Sequence, residues 1–196
     1  MNKMSIAKLK KGLVFIFFIM ATTLLVAEPE GGAKSKLGRL DTGTFTGNKI
    51  HDDLENNGMV VSARVTGHSG MEWPAGEHKY SNYASGVWFA GKVDDAIRTA
   101  VGEYGPEFVS GQFGGDSNAD EHQLYIVNKS DLADPLANSD FQNWPAHLGA
   151  PWVDNDGDGV YSPLPIGTDH PEFIGDQVIW YVMNDGDASA HSIFGT

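Results

Sequence analysis

The 196-residue sequence contains no cysteine, so a disulfide framework is excluded and a packed core, with or without a metal, must supply stability. Basic residues are scarce as well, 13 Lys and Arg against 26 Asp and Glu. A balance this acidic argues against nucleic acid or an anionic membrane as partner. Long helical patterns are few, and 24 glycines and nine prolines punctuate the chain. That composition points to a mainly β fold with sandwich-like antiparallel sheets and long Gly/Pro-rich loops. Signatures of catalysis are also missing. The glycine-rich stretch 102–120 lacks the Gly-Lys-Ser/Thr ending of a phosphate loop. Ser85-Gly86 and Ser110-Gly111 lack the GxSxG elbow of serine hydrolases, and none of the seven histidines falls in an HExxH arrangement.

What is present begins with Lys3, Lys8, Lys10 and Lys11, followed by a nearly unbroken apolar run over 13–27. A basic start and about fifteen apolar residues fit a secretory signal peptide better than a spanning helix, which needs about twenty. Removing residues 1–27 takes away four of the 13 basic residues and none of the 26 acidic ones, leaving a formal charge of −17. The expectation is a protein that is secreted or on the cell surface and not membrane-embedded. Residues 28–56 read as a flexible leader, and 57–196 as one β-rich module.

Within that module, alternation at Met59, Val61, Ala63 and Val65 predicts a first strand over 59–66. Residues 86–93 and 96–101 read as a hairpin turning at Asp94-Asp95, with a helix over 93–100 as the competing reading. A strand is expected over 122–128, then a polar linker to Asp140. The strongest strand is expected over 176–184 (DQVIWYVMN), apolar on both faces. The chain stops at HSIFGT, just as a new apolar segment, Ile193-Phe194, begins. The module is therefore expected to continue into downstream domains.

The chemically most informative stretch is 154–161, DNDGDGVY. Asp154, Asp156 and Asp158 stand at alternate positions, then Gly159, then Val160 with its backbone carbonyl. Oxygen ligands at positions 1, 3, 5 and 7 with glycine at 6 are what a hard calcium ion requires. Position 12 is Pro165, which offers no carboxylate, and prolines on both sides leave no flanking helix. A structural calcium loop in a β-rich domain therefore fits better than a sensor. Its remaining ligands would come from Asp169, Glu172, Asp176 or water. A zinc site at His170 with Asp169 and Glu172 is the weaker alternative, since four ligands are not suggested.

The succession GMEWPAG, SGVWFAGKV, NWPAHLGAPWVDNDGDGVY and GDQVIWYVMNDGD resembles an N-terminal region of large secreted bacterial surface proteins. Those proteins commonly carry a C-terminal type IX secretion sorting domain. The resemblance covers about 57–196, and 144–185 is its most specific part. It implies export and further domains, and supplies no catalytic residue. The family loop is commonly followed by Asp-Pro, whereas this chain has Ser162-Pro163.

These readings converge on a non-catalytic, calcium-stabilised extracellular module of a larger protein, with a glycan or protein partner. The alternatives are a carbohydrate-binding module and a hydrolase acting on extracellular polymers. Trp88 and Trp180, in apolar strands, are expected in the core. Trp73, Trp144 and Trp152, in proline-containing loops, are the better candidates for exposed contacts, although loop aromatics are expected to tuck over a sheet edge, and those leading into the acidic loop to pack against the sheet. Exposed aromatics would favour the first alternative; paired carboxylates in a cleft would favour the second.

Overall fold

The structure, a computed structural model, describes residues 38–62, 67, 69–102 and 107–191. The signal peptide expected over 1–27, the start of the leader, residues 63–66 of the first expected strand and the Ile193-Phe194 segment lie outside the described residues. Strands (32%) far outweigh helices (12%), and the sheets are antiparallel, so the protein is mainly β.

Regular structure starts earlier than expected. Strands β1 (Thr42–Phe45) and β2 (His51–Glu55) pair in register from Thr42↔Glu55 to Phe45↔Asp52. This corrects the leader boundary, because both strands fall inside 28–56. The partners that order this segment are remote: Asp41 Oδ2 accepts from Leu124 N at 3.0 Å, and Thr46 N donates to Gln177 Oε1 at 2.8 Å. At Gly43 a Cβ would meet the methyl tips of Ile126 and Leu124 at 2.7 and 2.8 Å, so β1 packs closely on them and a side chain there would have to displace them.

Strand β3 (Met59–Val61) follows the buried turn at Asn56 and Asn57. Strand β4 (Met71–Glu72) pairs with β2, and β5 (Tyr80–Asn82) pairs with β4, giving the order β1-β2-β4-β5. Strand β6 (Ser85–Gly86) returns to β3. Strands β7 (Trp88–Val93) and β8 (Ala96–Val101) form the expected hairpin, in register from Trp88↔Val101 to Val93↔Ala96. Asp94 and Asp95 both take positive φ, 49° and 64°, as a two-residue turn matched to the strand twist demands. The helical reading of 93–100 is thereby removed.

After β9 (Val109–Ser110), the strand expected over 122–128 is confined to β10 (Tyr125–Asn128). The expected polar linker is a run of tight helical turns ending in α1 (Ser139–Gln142). Its polar residues are caps: Asn138 Oδ1 accepts from Asp140 N and Phe141 N, while Asn138 Nδ2 donates to Ile126 O. Phe141 is thereby carried into the core. Strands β11 (Trp152–Val153) and β12 (His170–Pro171) pair with each other.

The segment 176–184 is not one strand. It divides into β13 (Gln177–Trp180), paired with β10, and β14 (Met183–Asn184), paired with β9. Asp176 is exposed, and the side chains of 177–184 are half-buried. The main apolar cluster comprises Tyr125, Val127, Phe141, Trp144 and Ala150, flanked by Trp152, Tyr161 and Trp180. Trp180 and Trp144 stand 6.4 Å apart, ring centre to ring centre. Trp144 therefore packs in the core, as expected for the aromatics leading into the acidic loop, whereas Trp88 is 62% exposed rather than core. Trp73 is 57% exposed and not tucked over a sheet edge. Among the described residues no helix is long and apolar enough to cross a membrane.

Candidate metal centre

Strand pairing assembles the acidic group. Val153 stands opposite His170 and Trp152 opposite Pro171, so Asp154 and Asp169 extend from adjoining strand ends. Carboxylate oxygens of Asp154, Asp156 and Asp169 lie within 4.8 Å of one another. Asp154 and Asp156 are exposed, whereas Asp169 is only 2% exposed.

The loop is shaped by its own hydrogen bonds. Asp154 Oδ1 accepts from Gly157 N at 2.6 Å and its Oδ2 from Gly159 N at 2.9 Å. Asp156 Oδ1 accepts from Asp158 N at 3.1 Å, and Asp158 Oδ1 from Val160 N at 2.7 Å. Gly157 and Gly159 adopt φ of 77° and 75°, the left-handed conformation that lets the backbone curl around the carboxylates. Each carboxylate oxygen retains lone-pair capacity beyond one such bond.

Asp169 anchors the group from below. Its Oδ1 accepts from Asn155 N at 2.9 Å; its Oδ2 accepts from Ser162 N at 2.9 Å and Ser162 Oγ at 3.2 Å. Burial, the largest single influence, would raise its pKa. The bonds from Asn155 and Ser162, with His170 nearby, outweigh it and hold the carboxyl below its ordinary value. Asp156 moves the other way. The Asp158 N–H lowers it most strongly, but partial desolvation and the carboxylates of Asp158, Asp169 and Asp154 together push it upward.

The expected ligands therefore separate into two sets. Asp154, Asp156 and Asp169 come together. Asp158 stands outside that group, with its carboxylate turned to Val160 N. Asp176 is a correction: it lines a different groove with Thr46 and Lys129, and its carbonyl accepts from Lys129 N at 2.8 Å. The pairing of β13 with β10 holds it there, away from the β11–β12 end. Glu172 is exposed and not among the group, its N–H donating to Pro151 O at 3.1 Å. His170 is likewise not in the group; its Nδ1 lies 2.8 Å from Pro171 O and its ring stacks on Phe173.

Sequence reasoning missed Asn155 and Ser162. Both act on Asp169 through backbone N–H groups, which no side-chain motif records. Asn155 Nδ2 also donates to Thr168 O at 2.7 Å, tying the two limbs of the loop together. A set of three carboxylates offering oxygen alone suits a hard cation and not a soft one. Compared with known proteins, the chain matches no family model, no curated protein and no solved structure.

Proposed function

We propose that this chain is a non-catalytic, calcium-stabilised module of a larger secreted or cell-surface protein. The reading is carried by the Asp154, Asp156 and Asp169 carboxylates, which converge on one point although Asp169 lies 13 residues beyond the Asp156 position. Mutual repulsion among them favours a bound cation, and Val160 O and water would complete an oxygen shell. The basic, apolar N-terminus and the acidic remainder support export. Extracellular calcium, at millimolar concentration, would keep a weak site filled.

The hydrolase reading finds less support. Among the described residues the carboxyls pushed upward outside the loop are Asp52 on β2 and Asp140 in α1, which serve different surroundings. Asp140 holds the N–H of Ile126 at 2.9 Å and the amide of Gln123 at 3.4 Å, a structural task.

Thermal melting with millimolar calcium and with chelator, beside a screen against polysaccharides and casein, tests the proposal. A higher midpoint in calcium without turnover is expected. A midpoint insensitive to calcium reduces 154–161 to an ordinary turn, and turnover abolished by changing one carboxylate overturns the non-catalytic reading.

A further inference from the structure

Beside the metal loop the core opens into a cleft of about 830 Å³, within the roughly 300–1,000 Å³ range of small-ligand sites. Its walls are aromatic. Trp152 and Tyr161 are half-buried there and meet edge to face, 5.6 Å apart at 88°; Tyr125 and Trp144 are buried beneath. Three of the four rings have their polar ends engaged within the protein. Tyr161 donates to Phe141 O at 2.7 Å, Tyr125 to Glu121 O at 3.0 Å, and the Trp144 indole to Pro151 O at 3.0 Å. What the cleft receives from them is apolar ring surface.

The charges at the rim are engaged too. Asp120 holds Arg39 at 2.6 Å. Glu121 Oε2 lies 3.2 Å from His147 Nε2, and its Oε1 lies 3.9 Å from His122 Nε2. Among the described residues no Lys or Arg lines the cleft and His147 faces Glu121, so an anionic ligand would find little counter-charge. The remaining polar groups are three neutral amides. Gln142 donates to Pro135 O at 3.1 Å, Asn143 to Ser139 O at 2.8 Å and Gln123 to Asp140 at 3.4 Å. All three residues border the cleft, and their amide oxygens accept no hydrogen bond among the described residues.

Apolar ring surface beside unused neutral acceptors suits a ligand with C–H faces, many hydroxyl donors and no charge. We propose that this cleft binds an uncharged oligosaccharide, with sugar rings on the Trp152–Tyr161 wall and hydroxyls donating to the amide oxygens of Gln123, Gln142 and Asn143. The proposal goes beyond the calcium reading and shares with it only the wall formed by residues 159–161.

The test is isothermal titration of the purified full chain with hexaoses of glucose, xylose and N-acetylglucosamine, in calcium and in chelator. Saturable binding of at least one hexaose is expected. Trp152→Ala should weaken it about tenfold or more, ~1.4 kcal/mol. Asn143→Ala, at an exposed position that leaves the core intact, should weaken it roughly three- to tenfold. Binding of none of the three, binding unchanged in a folded Asn143→Ala variant, or binding only of a hexa-arginine peptide would each overturn the proposal. Melting of the same samples reports the calcium reading separately: hexaose binding without a calcium shift removes only the loop reading, and the reverse result removes only the cleft.

Discussion

Asp169 and Ser162 are locked together by two hydrogen bonds to one carboxylate oxygen, from the serine N–H at 2.9 Å and its hydroxyl at 3.2 Å. Ser162 thereby fixes a buried carboxylate under the loop without adding a charge to it. Asp169 is thus a structural hub even without a cation, and that sets it apart from Asp156.

Variants at the two positions should therefore behave differently. Asp156→Ala should leave the melting midpoint in chelator nearly unchanged and abolish the calcium increment, about 0.5–1.5 kcal/mol in millimolar calcium. Asp169→Ala should lower the midpoint in chelator as well, by about 2–4 kcal/mol, because three donors lose their acceptor. Paired melts of both variants in calcium and chelator check this. Equal behaviour in chelator would deny Asp169 its anchoring role.

Asn56 is fully buried and joins three segments. Its Oδ1 accepts from Asp41 N at 2.8 Å, and its Nδ2 donates to Arg39 O and His122 O, both at 2.9 Å. Asn56→Ala should destabilise by about 2–4 kcal/mol, as buried partners are left unsatisfied. Urea unfolding measures it; a loss under about 1 kcal/mol would show that water replaces the amide.

Asp52 should make stability fall as pH rises. Desolvation, then the neighbouring Asp53 charge, pushes its pKa up to about 7, and its Oδ1 is buried without a hydrogen-bond partner. The unfolded chain releases this proton near pH 4, whereas the folded protein keeps it until about pH 7. The penalty is absent below pH 4, grows between the two values and is complete above pH 7. Asp52→Asn should remove a loss of about 1–2 kcal/mol between pH 4 and 8, allowing for solvent screening of a partly exposed group. Parallel slopes for wild type and variant would show that Asp52 ionises normally.

Much of the local architecture was legible. The Asp94-Asp95 turn, the alternation through β7 and β8, and the carboxylate spacing at 154, 156 and 158 are patterns of near neighbours, and near neighbours fix turn geometry and strand periodicity. The acidic balance likewise resides in composition. Alternation, however, does not say which face will be covered. Trp88, in an apolar strand, is left 62% exposed; Trp144, beside a proline, packs between Tyr125 and Trp180.

Tertiary structure decided the rest, because the deciding partners lie far away in the chain. Residues 42–55 looked like leader until Leu124, Ile126 and Gln177 supplied their contacts. The stretch 176–184 looked like one strand, but separate pairing with β10 and β9 divides it. Among the acids named for the metal, spacing identified Asp154 and Asp156. The pairing of β11 with β12 chose Asp169 and left Asp176 in another groove, since a carboxylate joins a site only where its backbone is carried.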